Sequence, residues 1–269
     1  MKNSLESSYQ LSKYIRLKAL EMCSEGKSSH IASVLSCADI LAVLYSKILK
    51  FKPDSPFFEK RDRFLMSKGH AGAGLYATLS KMGFVGEDIL KTHYKNGSFL
   101  SGHICHKIFP GVEFSTGSLG HALPVSIGIA LAIRLKNIPS RVFCLMSDGE
   151  LDEGSNWEAF LSGAHYKLDN LIAIIDRNRL QSIEDTESTL SLEPLMEKFL
   201  SFNWSVKSID GHNHEDIYSA LSNFEKNKPK VIIANTIKGK GVSFMENNIL
   251  WHYKSPSKEE LNKAKRELN

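Results

Sequence analysis

The sequence has little of several features that would indicate a specialised environment. Its 269 residues include only four cysteines, at positions 23, 37, 105 and 144, which are far apart. This spacing fits neither a zinc site nor a disulfide framework, so we expect four reduced thiols. The amphipathic pattern of the first residues, "MKNSLESSYQLSKYIRLKALEM", differs from the basic region and apolar core of a signal peptide. These features together predict a cytoplasmic protein.

Blocks of like charge and long hydrophobic runs are also scarce. We find no apolar stretch that reaches the length of a membrane span. The net charge of +4 comes from lysines and arginines scattered along the chain, so we expect neither nucleic-acid binding nor attraction to a membrane surface. Hydrophobic residues make up 42% of the chain and charged residues 24%, as in ordinary globular proteins. No repeat, low-complexity segment or linker is visible, which predicts a single domain over residues 1–269.

The first half of the chain contains mainly helical patterns. We predict helices over about 8–24 and 37–48, separated by the polar stretch "SEGKSSH". The segment "RDRFLMSKGHAGAGLYATLS" predicts a short strand, a glycine-rich turn and a helix of small residues. Residues 85–116 look irregular. The following segment, "STGSLGHALPVSIGIALAIRLKN", predicts a helix with Ser and Thr near its start.

The second half alternates short apolar runs with helical stretches. Such alternation predicts βαβ units and therefore a parallel sheet. The near-continuous apolar character of the strands indicates that both faces of the sheet are buried. We therefore predict an α/β fold, with an open, mainly parallel sheet and helices on both faces. The predicted strands are 141–148, 170–178, 204–210 and 230–236, and the predicted helices lie near 155–167, 191–201 and 214–226.

Two polar residues at predicted strand ends raise the question of a metal site. Asp148 ends the first strand of the second half and Asn178 ends the next one, one strand–helix–strand unit later. If the strands are neighbours, both side chains lie at the sheet edge where ligands bind, and their oxygens suit Mg²⁺ with a phosphate ligand. Gly149 would let a phosphate approach the backbone. Ordinary turn chemistry is the commoner explanation of Asp-Gly and of a terminal Asn, and both interpretations stay open at this point.

Other short motifs for phosphate or metal are absent or weak. The sequence has no GxxxxGK[ST] motif and no GxGxxG motif between a strand and a helix. The stretch "KGKG" at 238–241 follows a strand but has no third glycine and no clear helix start, so it favours a mobile loop. The stretch "HICH" at 103–106 lacks a second ligand pair with zinc spacing.

The segment "SDGELDEGSNWEAFLSGAHYKLDNLIAIIDRNRLQ" resembles the thiamine diphosphate signature, usually GDG followed about thirty residues later by Asn. Further segments extend this likeness. Together they make the chain resemble the N-terminal, diphosphate-binding domain of the transketolase family from about residue 10 to about residue 260. Small N-terminal subunits of split bacterial transketolases are the nearest likeness. The further segments are "SSHIASVLSCADILAVLY", "SKGHAGAGLYATL", "SGHICHKIFPGVEFSTGSLG" and "GKGVSFMENNILWH".

The resemblance implies a cofactor site with thiamine diphosphate and Mg²⁺, or Ca²⁺ in its place. Asp148 and Asn178 would bind the metal by their side chains, and the backbone carbonyl of Leu180 would be the third ligand. Gly149 would donate its backbone N–H to the diphosphate. Gly117 and Leu119 would contact the cofactor rings through their backbones.

The resemblance also implies roles for four of the ten histidines. His70 and His252 would contact the diphosphate and the reacting end of the substrate. His30 and His103 would bind a ketose donor and move protons around its hydroxyls. Glu153 would be a buried glutamate in a carboxylate network across a subunit interface, whereas Glu150 and Asp152 are expected in a solvated loop. Four further histidines match no functional position: His93, His106, His165 and His214.

Three positions depart from the family pattern. Ser147 stands in place of the first Gly of GDG, and it is small enough to tighten the strand end. His121 stands where a GQG segment normally has Gln, so an imidazole is expected close to the cofactor. Tyr253 follows His252 where the family usually has Gly, which puts a bulky ring beside an active-site histidine. The last two changes make the ordinary substrate less certain than the cofactor.

The chain lacks the second domain that the family uses to bind the cofactor pyrimidine. The resemblance therefore implies a C-terminal partner subunit with the pyrimidine-binding domain, an α2β2 assembly, and transfer of a two-carbon ketol unit from a ketose to an aldose, with or without phosphate. The four histidines favour this over a deoxyxylulose-phosphate synthase-like reaction or a decarboxylating acyl transfer. Two further interpretations stay open, which are an unusual-sugar transketolase and a non-catalytic, cofactor-binding interaction module.

Overall fold

Five parallel strands form one open sheet in the computed structural model, which describes residues 2–107 and 109–269. The order across the sheet is β1-β2-β3-β5-β4, so the chain is an α/β protein as predicted. Ser147 at the end of β2 is paired in register with Asp176 in β3. The strands are β1 (Arg63–Met66), β2 (Val142–Ser147), β3 (Leu171–Arg177), β4 (Ser205–Asp210) and β5 (Lys230–Asn235).

Helices cover both faces of this sheet. Successive side chains of a strand point to opposite faces, and β2 shows this clearly. Phe143 and Leu145 join one buried cluster, with residues from α1, α2, α3 and α8. Cys144 and Met146 join the other, with residues from α4, α5 and α7. The helices are α1 (Lys2–Gly26), α2 (Ile31–Val43), α3 (Gly72–Lys81), α4 (Ala122–Leu135), α5 (Gly154–His165), α6 (Thr186–Thr189), α7 (Leu195–Ser201), α8 (His214–Ser222) and α9 (Lys258–Leu268).

The strands of the second half lie within one residue of their predicted ends, but one prediction about them is wrong. Strands β2 and β3 are almost wholly buried, whereas β4 is largely open, with Lys207 and Ser208 exposed. The difference arises because β4 is an edge strand with a single neighbour, β5. Edge strands commonly carry charged side chains that prevent pairing with other chains.

Four helices begin at positions other than those predicted. Helix α1 begins at Lys2 and α7 at Leu195, six residues before and four residues after their predicted starts. Helix α2 begins at Ile31, six residues before the predicted start, and continues into a π-turn at Leu44–Ile48. Helix α4 begins at Ala122 instead of near the Ser and Thr residues of its segment. Residues 115–121 therefore form a loop, and this loop reaches the candidate site described below.

The stretch Ile31–Ile48 is long and apolar enough to cross a membrane by length and composition alone. The prediction that no stretch reaches this length is wrong by that measure. However, 83% of this stretch is buried inside the protein. Its residues join the core cluster with α1 and α3, which is the position of a core helix. All four cysteines are free thiols, as expected.

Candidate active site

The loops at the carboxyl ends of β1, β2, β3 and β5 surround a cavity of about 260 Å³. This is the position where open parallel sheets bind ligands. The cavity brings together every residue to which the sequence analysis gave a cofactor, metal or catalytic role, except Glu153. The lining residues are His30, Ser33, Lys68, His70, His103, Gly117, Leu119, Ser147, Asp148, Gly149, Asn178, Leu180, Gln181, Ser182, Lys238, His252 and Tyr253.

The predicted metal ligands meet at the ends of β2 and β3, which are neighbouring strands. Asp148 is fully buried and accepts hydrogen bonds from the backbone N–H groups of Gly149 (2.8 Å) and Arg179 (2.6 Å). The side-chain oxygen of Asn178 accepts from the N–H of Leu180 at 3.1 Å. These contacts hold both side chains in place. The set of carboxylate, amide and carbonyl oxygens suits Mg²⁺.

Two features of the cavity fit an Mg²⁺-bound diphosphate. A cationic group already lies against the third predicted ligand, because the ammonium of Lys238 donates to the carbonyl oxygens of Leu180 (2.9 Å) and Gln181 (2.8 Å). Gly149 also lines the cavity and carries no side chain, although the flexible side chain of Gln181 lies against its backbone, with Cγ 2.8 Å from where a Cβ would be. The residues present therefore fit both the metal and the diphosphate.

Two buried lysines in the cavity wall were missed by the sequence reasoning. Lys68 is 1% exposed and forms an ion pair with the fully buried Asp176 of β3. Lys238, from the "KGKG" stretch, is also buried, and burial together with the charge of Lys68 lowers its pKa to about 8. The glycines beside each lysine were the only sequence signal. The interpretation of "KGKG" as a mobile loop is wrong, since Gly239 donates its backbone N–H to Ala32 at 3.0 Å.

The four predicted histidines form one cluster. The ring centroid of His30 lies 5.3 Å from His70, 6.0 Å from His103 and 4.9 Å from His252. His30 has a positive φ of 74° and donates its backbone N–H to the carbonyl of His252 at 2.8 Å. Such backbone strain in a non-glycine residue often marks a functional site. These four residues come from distant parts of the chain, and only the fold brings them together.

The environment keeps these imidazoles neutral. Burial, with repulsion between protonated His30 and the cationic forms of His103 and Lys238, lowers the pKa of His30 to about 4. Burial and Lys238 lower the pKa of His252 to about 3. Burial also lowers the pKa of His70 and, to a lesser extent, of His103. Neutral imidazoles have one donor and one acceptor nitrogen, so the cluster can bind hydroxyls and accept their protons near neutral pH.

Glu150 is buried at the base of the 115–121 loop, so its placement in a solvated loop is wrong. It accepts hydrogen bonds from the backbone N–H groups of Gly120 (2.9 Å) and Ser147 (3.3 Å) and from the hydroxyl of Ser67. Burial raises the pKa of its carboxyl group. Glu150 thereby ties the loop that carries Gly117 and Leu119 to the ends of β1 and β2.

Glu153 directly precedes α5, is exposed in this chain and does not line the cavity. Its burial at a subunit interface stays a prediction. Glu153 lies close to Gly120, because a Cβ added at Gly120 would come within 2.6 Å of the Cβ of Glu153. Asp152 is half-buried and accepts a hydrogen bond from Gln181 at 2.8 Å, so it is not a solvated residue either.

The two departures near the cofactor region lie in different environments. His121 is exposed, and its Nδ1 lies 2.7 Å from the carbonyl oxygen of Leu119, but it does not line the cavity. Tyr253 is 62% exposed and lines the cavity mouth, with its ring 4.8 Å from His252 and 5.9 Å from His30. Tyr253 therefore narrows the approach to the histidine cluster.

No group of three or more His, Cys, Asp or Glu side chains within residues 2–107 and 109–269 is arranged to hold a metal ion. The "HICH" segment belongs to this region, and His106 is exposed with its Nδ1 2.8 Å from Ser115 Oγ. The oxygens of Asp148, Asn178 and Leu180 do not form such a group, because only Asp148 contributes a carboxylate and the other two are an amide and a backbone carbonyl. Among the histidines without a predicted role, His165 is exposed, and His93 and His214 are buried away from the oxygen set.

These features define a class of protein before any comparison is made. An open parallel sheet carries an oxygen set for a hard cation, two buried ammonium groups and a group of neutral histidines at one edge. Such an arrangement suits an α/β domain that binds a diphosphate-containing cofactor beside a substrate site.

Comparison with known proteins identifies the family. Residues 7–269 match the family described as transketolase, thiamine diphosphate binding domain. A subunit of the apulose-4-phosphate transketolase of Phocaeicola vulgatus is 42% identical over 256 residues, covering 94% of this chain and 91% of the relative. A 6-deoxy-6-sulfo-D-fructose transketolase subunit of Clostridium sp. is 38% identical over 240 residues, covering 88% and 87%. The chain therefore belongs to the transketolase family, and it contains the thiamine diphosphate-binding domain.

Solved transketolases share the fold. The transketolase of Leishmania mexicana superposes with a TM-score of 0.91 at 28% identity, over 97% of this chain and 41% of the other. The transketolase of Campylobacter jejuni gives a TM-score of 0.90 at 30% identity, over 99% of this chain and 43% of the other. The chain thus spans about two fifths of the length of these transketolases.

Proposed function

We propose that this chain is the cofactor-binding half of a two-chain transketolase that moves a two-carbon ketol unit from a ketose to an aldose. The observation that carries the proposal is the single cavity shared by the oxygens of Asp148 and Asn178 and the cluster of four histidines. Family membership supplies the cofactor class. On this proposal residues 1–269 act as one cofactor-binding domain in the cytoplasm.

Thiamine diphosphate, when bound, supplies an electron sink for breaking the carbon–carbon bond beside a ketone. In this chain Asp148, Asn178 and the carbonyl of Leu180 would hold Mg²⁺, or Ca²⁺ in its place. The backbone N–H of Gly149 and the ammonium of Lys238 would meet the diphosphate. The backbones of Gly117 and Leu119, on the loop fixed by Glu150, would contact the cofactor rings.

The histidines would handle the substrate. Their low pKa values leave the imidazoles of His30, His70 and His252 neutral at pH 7, and a neutral imidazole can take a proton from a substrate hydroxyl. His103, the most exposed member of the cluster, would bind a further hydroxyl of the donor. A hydroxylated ketose offers enough polar groups to use all four side chains, which is why we favour ketol transfer over a reaction of a simple 2-keto acid.

A partner subunit would complete the site. The chain spans about two fifths of the solved transketolases, and two relatives that match it over most of their length are named as transketolase subunits. Glu153 and Tyr253, beside the cavity, are exposed in this chain, where a second polypeptide could cover them. We propose a C-terminal subunit with the pyrimidine-binding domain, an α2β2 assembly, and Glu153 at the interface.

Cofactor binding is tested by thermal unfolding of the two-chain complex with thiamine diphosphate and Mg²⁺. Ligand at one hundred times its Kd adds about 2.7 kcal/mol of stability, which in a chain of this size raises Tm by about 5 °C. We expect Asp148→Ala to lose this rise. The matched control is Asp88→Ala, because the Asp88 side chain is 94% exposed and, among the described residues, forms an ion pair with the exposed Lys91 three positions later. An unchanged rise in Asp148→Ala would contradict the metal assignment.

Partner dependence is tested by a ketol-transfer assay. The chain is assayed alone and after coexpression with a candidate chain that contains a pyrimidine-binding domain. We expect activity only from the pair, and co-elution as a heterotetramer in light scattering. Robust activity from the chain alone would refute the two-chain proposal, whereas a pair that binds no cofactor would favour a non-catalytic role.

An unusual sugar is the favoured substrate class within this reaction. Relatives are named for apulose 4-phosphate and 6-deoxy-6-sulfo-D-fructose, and Tyr253 at the cavity mouth departs from the usual small residue. We propose that Tyr253 restricts which sugars reach the histidines. The test compares these two ketoses with fructose 6-phosphate and xylulose 5-phosphate. Equal kcat/KM values for all four would remove the basis for this choice.

A further inference from the structure

A second, smaller cavity of about 60 Å³ lies behind the histidine cluster. A water molecule needs at least about 10–15 Å³ of such space, so this cavity has room for a few waters. About half of the wall is polar, and seven of the nine lining residues carry a polar side chain, which favours water over an apolar occupant. The lining residues are Ser28, Ser29, His30, His70, Ala73, His93, Tyr94, Gly102 and His103.

His93 is the least expected polar group of this wall. Its side chain is 2% exposed, and Nε2 lies 3.0 Å from the hydroxyl of Ser28. Its other ring nitrogen, Nδ1, is buried and has no hydrogen-bond partner among the described residues. Buried polar atoms nearly always have a partner in protein or ordered water. A water in the cavity that His93 lines would supply this partner.

The small cavity is connected to the candidate active site through shared side chains. His30, His70 and His103 line both cavities. The hydroxyl of Ser29 lies 2.8 Å from Nδ1 of His30, which leaves Nε2 of His30 for the substrate side. Tyr94, which also lines the small cavity, is 55% exposed, so the cavity approaches the protein surface there.

We propose that this cavity holds a short chain of ordered water and that His93, with Ser28, positions it as a proton path between His30 and solvent. The proposal rests on the proposed ketol transfer for its use, but not for the water itself. His93 would be a positioning residue, since it lies behind the cluster and acts through water and Ser28.

The proton balance of the path is simple. When the donor's carbon–carbon bond breaks, the O–H bond of the adjacent hydroxyl also breaks, and its proton forms an N–H bond at Nε2 of His30. The Nδ1 proton of His30 passes to the hydroxyl of Ser29, which releases its own proton to cavity water. The reverse sequence protonates the acceptor's former carbonyl oxygen, so no net proton is gained or lost per turnover. The low pKa of His30, about 4, disfavours a lasting imidazolium and makes onward transfer necessary.

The first test is a high-resolution crystal structure of the chain and of His93→Phe. Phenylalanine keeps the ring volume and removes both nitrogens. We expect wild-type density for at least one water within hydrogen-bond distance of His93 Nδ1, and its loss in His93→Phe. A dry cavity in the wild-type structure would overturn the proposal, whatever the activity of the protein.

The second test is kinetic and uses the two-chain complex. Removing a general acid or base costs about 10²–10⁴-fold, so a residue that acts through water should cost less, and we expect kcat of His93→Phe to fall about tenfold. The Kd for thiamine diphosphate should not change, because His93 does not line the larger cavity. The conservative variant His93→Gln should recover at least half of the lost kcat.

Chemical rescue separates proton transfer from a purely structural role. His93→Ala opens space beside Ser28, and millimolar imidazole should restore much of its kcat, while His93→Phe should not respond. Wild-type kcat in His93→Phe, or no rescue in a folded His93→Ala, would refute the path. If the wild-type complex shows no ketol transfer, the proposed function fails instead, and the crystallographic water still decides the proposal.

Discussion

Replacing Lys68 by Met tests whether the buried ion pair between Lys68, in the cavity wall, and Asp176 stabilises the ends of β1 and β3. Lys68 and Asp176 are 1% and 0% exposed. Asp176 also accepts hydrogen bonds from the hydroxyls of Ser36 (2.7 Å) and Thr236. Methionine keeps most of the apolar stem and removes the ammonium group. The carboxylate of Asp176 would then stay buried with neutral donors and without its paired cation.

The structure gives the size of the expected effect. Breaking a buried pair by removing one partner costs about 3–5 kcal/mol, because an uncompensated charge is left inside. In a chain of this length each kcal/mol lowers Tm by about 2 °C, so we expect Lys68→Met to unfold about 6–10 °C below the wild type. The double variant Lys68→Met/Asp176→Asn should recover most of this loss, since asparagine can use the Ser36 and Thr236 hydroxyls without a charge.

The pH dependence gives an independent check. Burial alone would raise the pKa of Asp176, but Lys68 and the hydrogen bonds hold it below its usual range. In the wild type, the contribution of this carboxylate is therefore present above the unfolded pKa of about 3.9 and lost as pH falls through the folded pKa. In Lys68→Met burial dominates and raises the folded pKa, so stability falls as pH rises above about 4. The difference in free energy of unfolding between the wild type and Lys68→Met should therefore be largest near pH 7.

Urea unfolding at pH 7 and near pH 4, followed by circular dichroism, measures both effects. A loss in free energy of unfolding below about 0.5 kcal/mol in Lys68→Met, the usual limit for a surface substitution, would refute a stabilising role of the ion pair. That role would also be refuted if the double variant were no more stable than the single one.

Three further predictions concern other parts of the site. Gly69→Ala should destabilise the protein by about 1–3 kcal/mol in urea unfolding, because its Cβ would lie 2.6 Å from the Thr116 carbonyl oxygen. In the two-chain complex, Tyr253→Gly should raise the ratio of kcat/KM for bulkier acceptor aldoses to kcat/KM for glycolaldehyde. Tyr253→Phe should leave that ratio unchanged. Burial lowers the pKa of His93 to about 4, so the free energy of unfolding should fall as pH drops from about 6.5 towards 4. In His93→Phe the free energy of unfolding should fall less steeply over the same pH range.

Local sequence patterns were sufficient for the order of the elements and for one part of the site. Apolar runs of strand length followed by helical periodicity are a local signal, and they placed β2, β3 and β5 within one residue of their observed ends. The carboxyl ends of parallel strands share one edge of the sheet. The spacing of Asp148 and Asn178 therefore predicted their proximity once β2 and β3 proved to be neighbours.

The same patterns could not predict which charged residues become buried. Glu150, Lys68 and Lys238 occur in segments that look like polar loops, and each is buried because its partners come from distant parts of the chain. Sequence periodicity carries no information about such partners. The start of α4 at Ala122 was missed for a similar reason, since Glu150 holds the preceding residues as a loop at the site.

The sequence by itself thus determined the α/β class, the strand ends that carry oxygen ligands and, through resemblance, the four histidines. Tertiary structure decided that these histidines form one cluster, that Glu153 is exposed in this chain, and that His93 lines a polar cavity behind His30. The physical reason is that backbone pattern and strand direction are encoded locally. Burial, and the pKa shifts that follow from it, depend on contacts between residues far apart in the chain.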